Sequence, residues 1–178
     1  AFDLLEAARG HGLLPRMHAN QFTACGCIAA AIELGAVSVD HLEVLEPDEI
    51  AALAATDIAC VALPGVSLFL DIPFAPARAM TDAGCIPVIA SDFNPGSNPC
   101  LSLQLAQSLA CLRMGLAVGE ALAALAESVE AALGAGGQLF QPGQGAVGAF
   151  PFVLALAFGA AGFEGFQAAE GFNQQGLP

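Results

Sequence analysis

The sequence predicts an α/β fold of the (β/α)8 TIM-barrel type, present here as four βα units followed by terminal helices and short strands. Three observations lead there. Short apolar runs alternate with helix-patterned segments, and each run closes on a polar or turn-forming residue. These closures fall at positions 18, 41, 64 and about 91, steps of 23, 23 and 27 residues. Such steps hold a strand, a loop and a crossover helix, so the strands run parallel. Four units make half of a barrel or a small open sheet. In an open sheet ligands gather at one switch point, whereas in a barrel every strand end can contribute. Consecutive strands here end in His18, His41, Pro64-Gly65 and Asp92, which favours the barrel.

The elements follow in order. Phe2 to Gly10 reads as a helix, and His11-Gly12 stops it. Arg16 to Ala19 is a short strand carrying His18 near its carboxyl end. Gln21 to Leu34 repeats Ala, Ile, Cys and Leu at helical spacing, with Gly35 as its C-cap. Ala36 to Val39 is the second strand, ending in Asp40-His41. Pro47 to Ala55 is a helix with proline in its first turn and Asp48 and Glu49 at its positive end. Ile58 to Leu63 is the third strand. Phe74 to Ala83 is the next helix, stopped by Gly84, and Ile86 to Ala90 is the fourth strand, delivering Asp92 into an Asn-Pro-Gly-Ser turn. Leu101 to Met114 and Val118 to Leu133 are long apolar helices. Gln138 to Phe140 and Ala146 to Phe150 suit short strands around a Pro142-Gly143 turn. The expected division is a half-barrel over residues 1–118 and a terminal helix with a small strand segment over 119–178.

Composition narrows the function. With 178 residues and 56% apolar content, the chain can bury a sizeable core. Its 17 acidic residues face four basic ones, all arginine, for a formal net charge of -13. A surface this negative repels phosphate backbones and anionic lipid, so neither nucleic acid nor a membrane is an expected partner. The uncharged stretch over residues 131–163 is interrupted by Pro142 and Pro151 and reads as packed protein rather than a membrane span. Lys, Tyr and Trp are all absent, a composition that points to an altered or designed sequence. The six cysteines are scattered and read as buried thiols of a reducing compartment. Cys25-Gly26-Cys27 lacks the second pair that a zinc site needs. Asp3 and Glu6 occupy a start that a signal peptide would make basic and apolar, so a cytoplasmic protein is expected. The chain opens inside a helix and reads as a fragment whose beginning is missing.

His18, His41 and Asp92 are the candidates for chemistry. A strand-end histidine is commonly a hydrogen-bonded structural residue, and Asp before Asn-Pro-Gly is commonly turn chemistry. Their shared place at the carboxyl end of a parallel repeat is less easily explained by structure alone. Two imidazoles and a carboxylate suit Zn²⁺ or a similar ion. Such a metal activates water and polarises a carbonyl, Asp92 can take the water proton, and His41 can protonate a departing nitrogen or steady an oxyanion. That is hydrolysis of an amide-like bond. A cysteine nucleophile is the weaker reading, because no Cys sits on a strand end beside a His.

At the same residues the chain resembles a known family. His18-Ala19-Asn20-Gln21-Phe22, Ser38-Val39-Asp40-His41-Leu42-Glu43, Ala62-Leu63-Pro64-Gly65, Pro73 to Met80 and Ser91-Asp92-Phe93-Asn94-Pro95-Gly96-Ser97 are similar to the second half of imidazolonepropionase, of the metal-dependent amidohydrolase superfamily. The resemblance runs from about residue 1 to 118. It implies a (β/α)8 barrel whose strands five to eight are the four units read above. It also implies His18 and Asp92 as ligands of one divalent metal, Zn or Fe, with Asp92 accepting a proton and His41 catalytic. Gln21 falls where some members carry a substrate-contacting Glu, which makes it a substrate-binding and catalytic candidate. Asn94, Gly96 and Ser97 match a loop that meets the small-molecule substrate, and a homodimer is the expected assembly. The implied reaction opens 4-imidazolone-5-propanoate with water to N-formimino-L-glutamate in histidine breakdown.

Two departures bear on activity. The family's first-strand His-x-His pair is absent, which leaves the metal site incomplete and the isolated chain expected inactive. Gly137 to Ala146 looks like a degraded form of the family's returning segment. Two alternatives stand beside the amidase: a non-catalytic half-barrel scaffold or binding module, and another amidohydrolase such as a deaminase or dihydroorotase-like enzyme.

Overall fold

The computed structural model describes residues 2–133. Nearly all of them belong to one compact unit, Ala1–Ser128. The strands and turn expected over residues 138–150, and the degraded segment over 137–146, lie outside the described residues.

Four strands form one sheet: β1 (Arg16–Ala19), β2 (Ser38–His41), β3 (Ala59–Ala62) and β4 (Ile86–Ile89). They lie in sequence order and every pairing is parallel. Sequential order with helical crossovers is the arrangement of a barrel wall, so the four expected βα units are present. Because side chains alternate across a strand, the register sorts them into two faces. Met17, Val39, Cys60 and Pro87 share one row, while His18, Asp40, Val61 and Val88 share the neighbouring row on the opposite face.

The helices are α1 (Phe2–Gly10), α2 (Cys27–Glu33), α3 (Pro47–Ala54), α4 (Pro64–Leu70), α5 (Ala77–Ala83), α6 (Leu103–Met114) and α7 (Val118–Leu133). Residues of α2, α3, α5, α6 and α7 join the core on the first face, whereas α1 leaves Leu4 exposed. Ile28 of α2, Leu53 of α3 and Met80 of α5 join Val39, Cys60, Ala62 and Ile89 of the sheet in one buried cluster. Each large side chain so buried contributes roughly 1.5–3 kcal/mol. The opposite face carries Arg16, His18 and Asp40, all at least partly exposed. No helix among the described residues is long and apolar enough to cross a membrane.

Helix ends explain most boundaries. In α3, Glu46 and Glu49 form a reciprocal capping box, with the Glu46 amide donating to Glu49 Oε2 at 3.1 Å. At α6 the Ser102 hydroxyl accepts from the Leu105 amide at 3.1 Å, and Gly115 closes the helix at φ 74°.

Four elements differ from the expectation. The helix over 21–34 begins only at Cys27, because Asn20 at φ 57° and Gly26 at φ 72° hold the intervening residues in a bend. The second strand starts later, at Ser38, and includes Asp40 and His41. Pro64-Gly65 does more than end a strand: it begins α4, where proline's fixed φ suits the first turn. The helix expected from Phe74 is confined to Ala77–Ala83, since Pro76 biases the residue before it away from helical backbone. The cysteines also depart from the buried reading. Cys60 and Cys85 are buried, but Cys25 is exposed and Cys27, Cys100 and Cys111 are partly so.

Candidate functional site

Parallel strands place all four carboxyl ends at one edge of the sheet, where the backbone leaves ordinary conformations. Asn20 (φ 57°), His41 (φ 83°), Leu42 (φ 67°) and Asp92 (φ 50°) all lie in the left-handed region, at or just past the ends of β1, β2 and β4. Each such non-glycine residue costs on the order of 1–3 kcal/mol and persists only when its surroundings hold it. The holding contacts are visible. The Leu42 amide donates to the Ala19 carbonyl at 3.2 Å and the Val44 amide to the Asn20 carbonyl at 2.8 Å, while the Leu42 side chain is fully buried. The Asn20 carboxamide donates to Glu49 Oε2 at 2.8 Å, which joins the end of β1 to the cap of α3.

This bend brings the two histidines together. Alternation alone would place His41 on the helix-covered face beside Ala19 and Ala62. With its backbone at φ 83°, its ring instead lies 5.1 Å from the His18 ring, centroid to centroid. The environments of the two rings differ. His18 is two-thirds exposed, and its Nε2 lies 3.7 Å from Asp40 Oδ2. His41 is buried, and its Nδ1 lies 3.5 Å from Oε1 of Glu43, a carboxylate with no exposed side-chain surface.

Electrostatics separate the groups further. Burial disfavours a charge on His41, but the Glu43 carboxylate, then Asp92 and Asp40, outweigh it and raise the imidazole above its ordinary range. Burial raises the Asp40 carboxyl, against the pull of His18. His41 Nδ1, Glu43 Oε2 and Asn20 Oδ1 are buried with no hydrogen-bond partner among the described residues. Buried polar atoms are ordinarily paired, so three such atoms at one edge mark it apart from the other described residues.

Asp92 follows β4 and is half-buried. Its loop is held from within. Asn94 Nδ2 donates to the Asp92 carbonyl at 2.9 Å and to Ser97 Oγ at 2.6 Å, while Asn94 Oδ1 accepts the amides of Gly96 at 2.9 Å and Ser97 at 2.8 Å. Asn94 also reaches Asp92 Oδ2 at 3.3 Å. Gln21 lies half-exposed in the bend after β1. The structure therefore brings the His18 and His41 rings together, while Asp92, Gln21 and the Asn94 to Ser97 loop follow strand ends on the same edge, and the Asp92 carboxylate helps to raise His41.

Two residues there escaped sequence reasoning. Glu43 stood in a quoted motif without a role, and its signal was available: a carboxylate two residues beyond a strand-end histidine. Asn98 carried no signal. Its buried carboxamide donates to the Ser91 carbonyl and lies over Gly65, where any Cβ would collide with it. Glycine at 65 thus lets Asn98 hold the approach to Asp92.

Known proteins share much of this sequence. An imidazolonepropionase from Rubrobacter xylanophilus is 46% identical over 135 residues, covering 76% of this chain and 32% of that protein. The imidazolonepropionase of Deinococcus radiodurans is 47% identical over 131 residues, covering 74% of this chain and 33% of its own length. The chain matches part of imidazolonepropionase. It spans about a third of the length of the curated relatives it matches. No family model matches the chain. Among solved structures, an adenosine deaminase from Xanthomonas campestris with bound zinc superposes with a TM-score of 0.63, at 20% identity over 75% of this chain and 35% of that one. That likeness concerns the fold, and it agrees with four βα units of a barrel.

Proposed function

We propose that this chain supplies the carboxyl-terminal half of a (β/α)8 cyclic amidase of the imidazolonepropionase type. Its reaction is the hydrolytic opening of 4-imidazolone-5-propanoate to N-formimino-L-glutamate. The observation that carries the reading is the approach of the His18 and His41 rings at one edge, with Asp92 just past β4 at that edge, through backbone that ordinary strands do not adopt.

His18 and Asp92 have the donor chemistry of a Zn or Fe site. Their number falls short, because no group of three or more His, Cys, Asp or Glu among the described residues could hold a metal ion. The two would hold one side of a divalent metal whose remaining ligands come from elsewhere. Bound there, such an ion lowers the pKa of water and polarises a carbonyl.

The chain's own residues bind, orient and move protons. Asp92 accepts the proton of the attacking water. His41, whose imidazole Glu43 raises against burial, donates to the departing ring nitrogen or steadies the oxyanion. Glu43 does not reach substrate and acts by holding His41 in position and charge. Gln21 contacts the substrate by hydrogen bonding, and the loop of Asn94, Gly96 and Ser97 meets it at the mouth. The substrate is a small molecule; neither nucleic acid nor a membrane takes part, and the whole enzyme works as a cytoplasmic homodimer. Residues 1–118 are its barrel portion.

The test joins metal analysis to a ring-opening assay on this chain alone and within a complete barrel. The complete barrel should bind one metal and open the ring, and Asp92→Ala should abolish both. The isolated chain should do neither. A complete barrel that keeps its fold yet neither binds metal nor opens the ring would leave the scaffold reading, in which these residues are structural.

A further inference from the structure

The bend that carries Gln21 ends in two thiols for which the proposed reaction has no use. Cys25 is exposed, Cys27 opens α2, and both are free thiols. Their Sγ atoms lie 2.7 Å apart, within about 0.7 Å of the ~2.05 Å length of a disulfide bond. Gly26 between them sits at φ 72° with open space around it, and this left-handed step turns the two side chains toward each other. We propose that Cys25 and Cys27 form a reversible dithiol–disulfide site that exchanges with low-molecular-weight disulfides such as oxidised glutathione.

The other thiols that the structure buries are poor candidates. Cys60 donates to the Ile58 carbonyl at 3.7 Å and Cys85 to the Ile50 carbonyl at 3.6 Å, both inside the core. Burial pushes the Cys60 thiol up to about 12 and raises Cys85 as well, so neither forms thiolate readily. Between Cys25 and Cys27 the roles divide by access: Cys25 is exposed and Cys27 is partly covered at the start of α2, so Cys25 is the attacking sulfur and Cys27 the resolving one. The contact with Cys27 also lowers the Cys25 thiol.

The exchange balances in two steps. The Cys25 thiolate attacks one sulfur of the small disulfide, forming a mixed disulfide and expelling one small thiolate. Cys27, losing its proton, attacks Cys25 Sγ, forming the internal disulfide and expelling the second. The two protons released by Cys25 and Cys27 leave on the two small thiols, and the small disulfide takes both electrons. A ring closed across one residue is strained, and strained exposed disulfides are the labile kind. The bond is thus a reversible mark on the loop between His18 and α2 rather than a staple for the fold.

Glutathione buffers of graded ratio, followed by thiol blocking and peptide mapping, test this on the full chain. At intermediate ratios the segment holding Cys25 and Cys27 should become two hydrogens lighter, and excess reduced glutathione should restore it. Cys60 and Cys85 should stay reduced. Cys27→Ser should trap a persistent glutathione adduct at Cys25, whereas Cys25→Ser should react markedly more slowly at Cys27. Circular dichroism reads out folding of both variants, Cys25 being exposed and Cys27 partly so. Separate stable adducts on both thiols, bonds from either to Cys100 or Cys111, or no reaction while the exposed thiols are alkylated would each overturn the proposal.

Discussion

The two faces of structure around this sheet obey different rules. On the helix-covered side, Val39, Cys60, Ala62 and Ile89 meet Ile28, Leu53 and Met80 in an apolar cluster. At the carboxyl edge, four residues take left-handed backbone and three buried polar atoms lack partners. The first region can stabilise a fold and does no chemistry. The second costs free energy, on the order of 1–3 kcal/mol for each strained residue, that the first must offset. Asp71 sharpens the contrast. It too is left-handed, at φ 54°, but it caps the carboxyl end of α4, where such a residue is ordinary. Strain alone does not mark a site; strain gathered with buried, unpaired polar atoms does.

If stability resides on the helix side, breaking that side should be the most damaging change to the fold. Leu53 is fully buried between α3 and the sheet. Leu53→Ala should cost about 2–5 kcal/mol, read as a lowered denaturation midpoint. The titration of His41 in the surviving folded protein should be unchanged. A His41 that shifts with Leu53→Ala would show that the two regions are not separable.

Alkaline pH probes the same side by another route. Cys60 holds its proton to about 12 in the folded chain, against the ordinary thiol value of 9.0. The folded state therefore binds more protons than the unfolded state between those values, and stability falls as pH rises through that window. The three-unit difference from the ordinary value of 9.0 to about 12 sets an upper bound of about 4 kcal/mol. The chain contains no Lys or Tyr, so thiols are the side chains that titrate there. Denaturation midpoints measured from pH 8 to 12 should decline, and Cys60→Ala should flatten the slope.

The carboxyl edge should respond to smaller changes. A Cβ at residue 65 collides with the Asn98 carboxamide, which holds the Ser91 carbonyl ahead of Asp92. Gly65→Ala should cost about 1–3 kcal/mol through overpacking. In a complete barrel it should also impair ring opening more than Leu53→Ala does at equal folded fraction. Equal impairment would remove Asn98 from any part in placing Asp92.

How much of this was legible follows from the range of each signal. The four βα units were legible because strand length, crossover length and parallel pairing are consequences of local pattern. His18, His41 and Asp92 were legible as residues at or just past strand ends. The proximity of the His18 and His41 rings was not. Alternation along β2 assigns His41 to the helix side, and only its left-handed backbone, held by bonds from Leu42 and Val44 to the end of β1, moves it. The late start of α2 was hidden by helical periodicity that continued through a bend. Asn98 was invisible because its partners, Gly65 and Ser91, belong to other parts of the chain.

The subtlest test concerns Glu43, whose side chain is wholly buried beside His41. Its carboxylate is the chief influence raising the His41 imidazole against burial, which alone would lower it. A raised histidine contributes stability that is fully present below about pH 6.5 and is lost as pH rises through its folded value. Glu43→Gln keeps the shape and removes the charge. The His41 value should then fall, seen in the nitrogen-detected titration of the imidazole, and the loss of stability with rising pH should begin lower. Were Glu43 only packing against His41, the isosteric amide would leave the titration where it was. The outcome decides whether the buried carboxylate at this edge is there to keep a proton on His41 for a departing nitrogen.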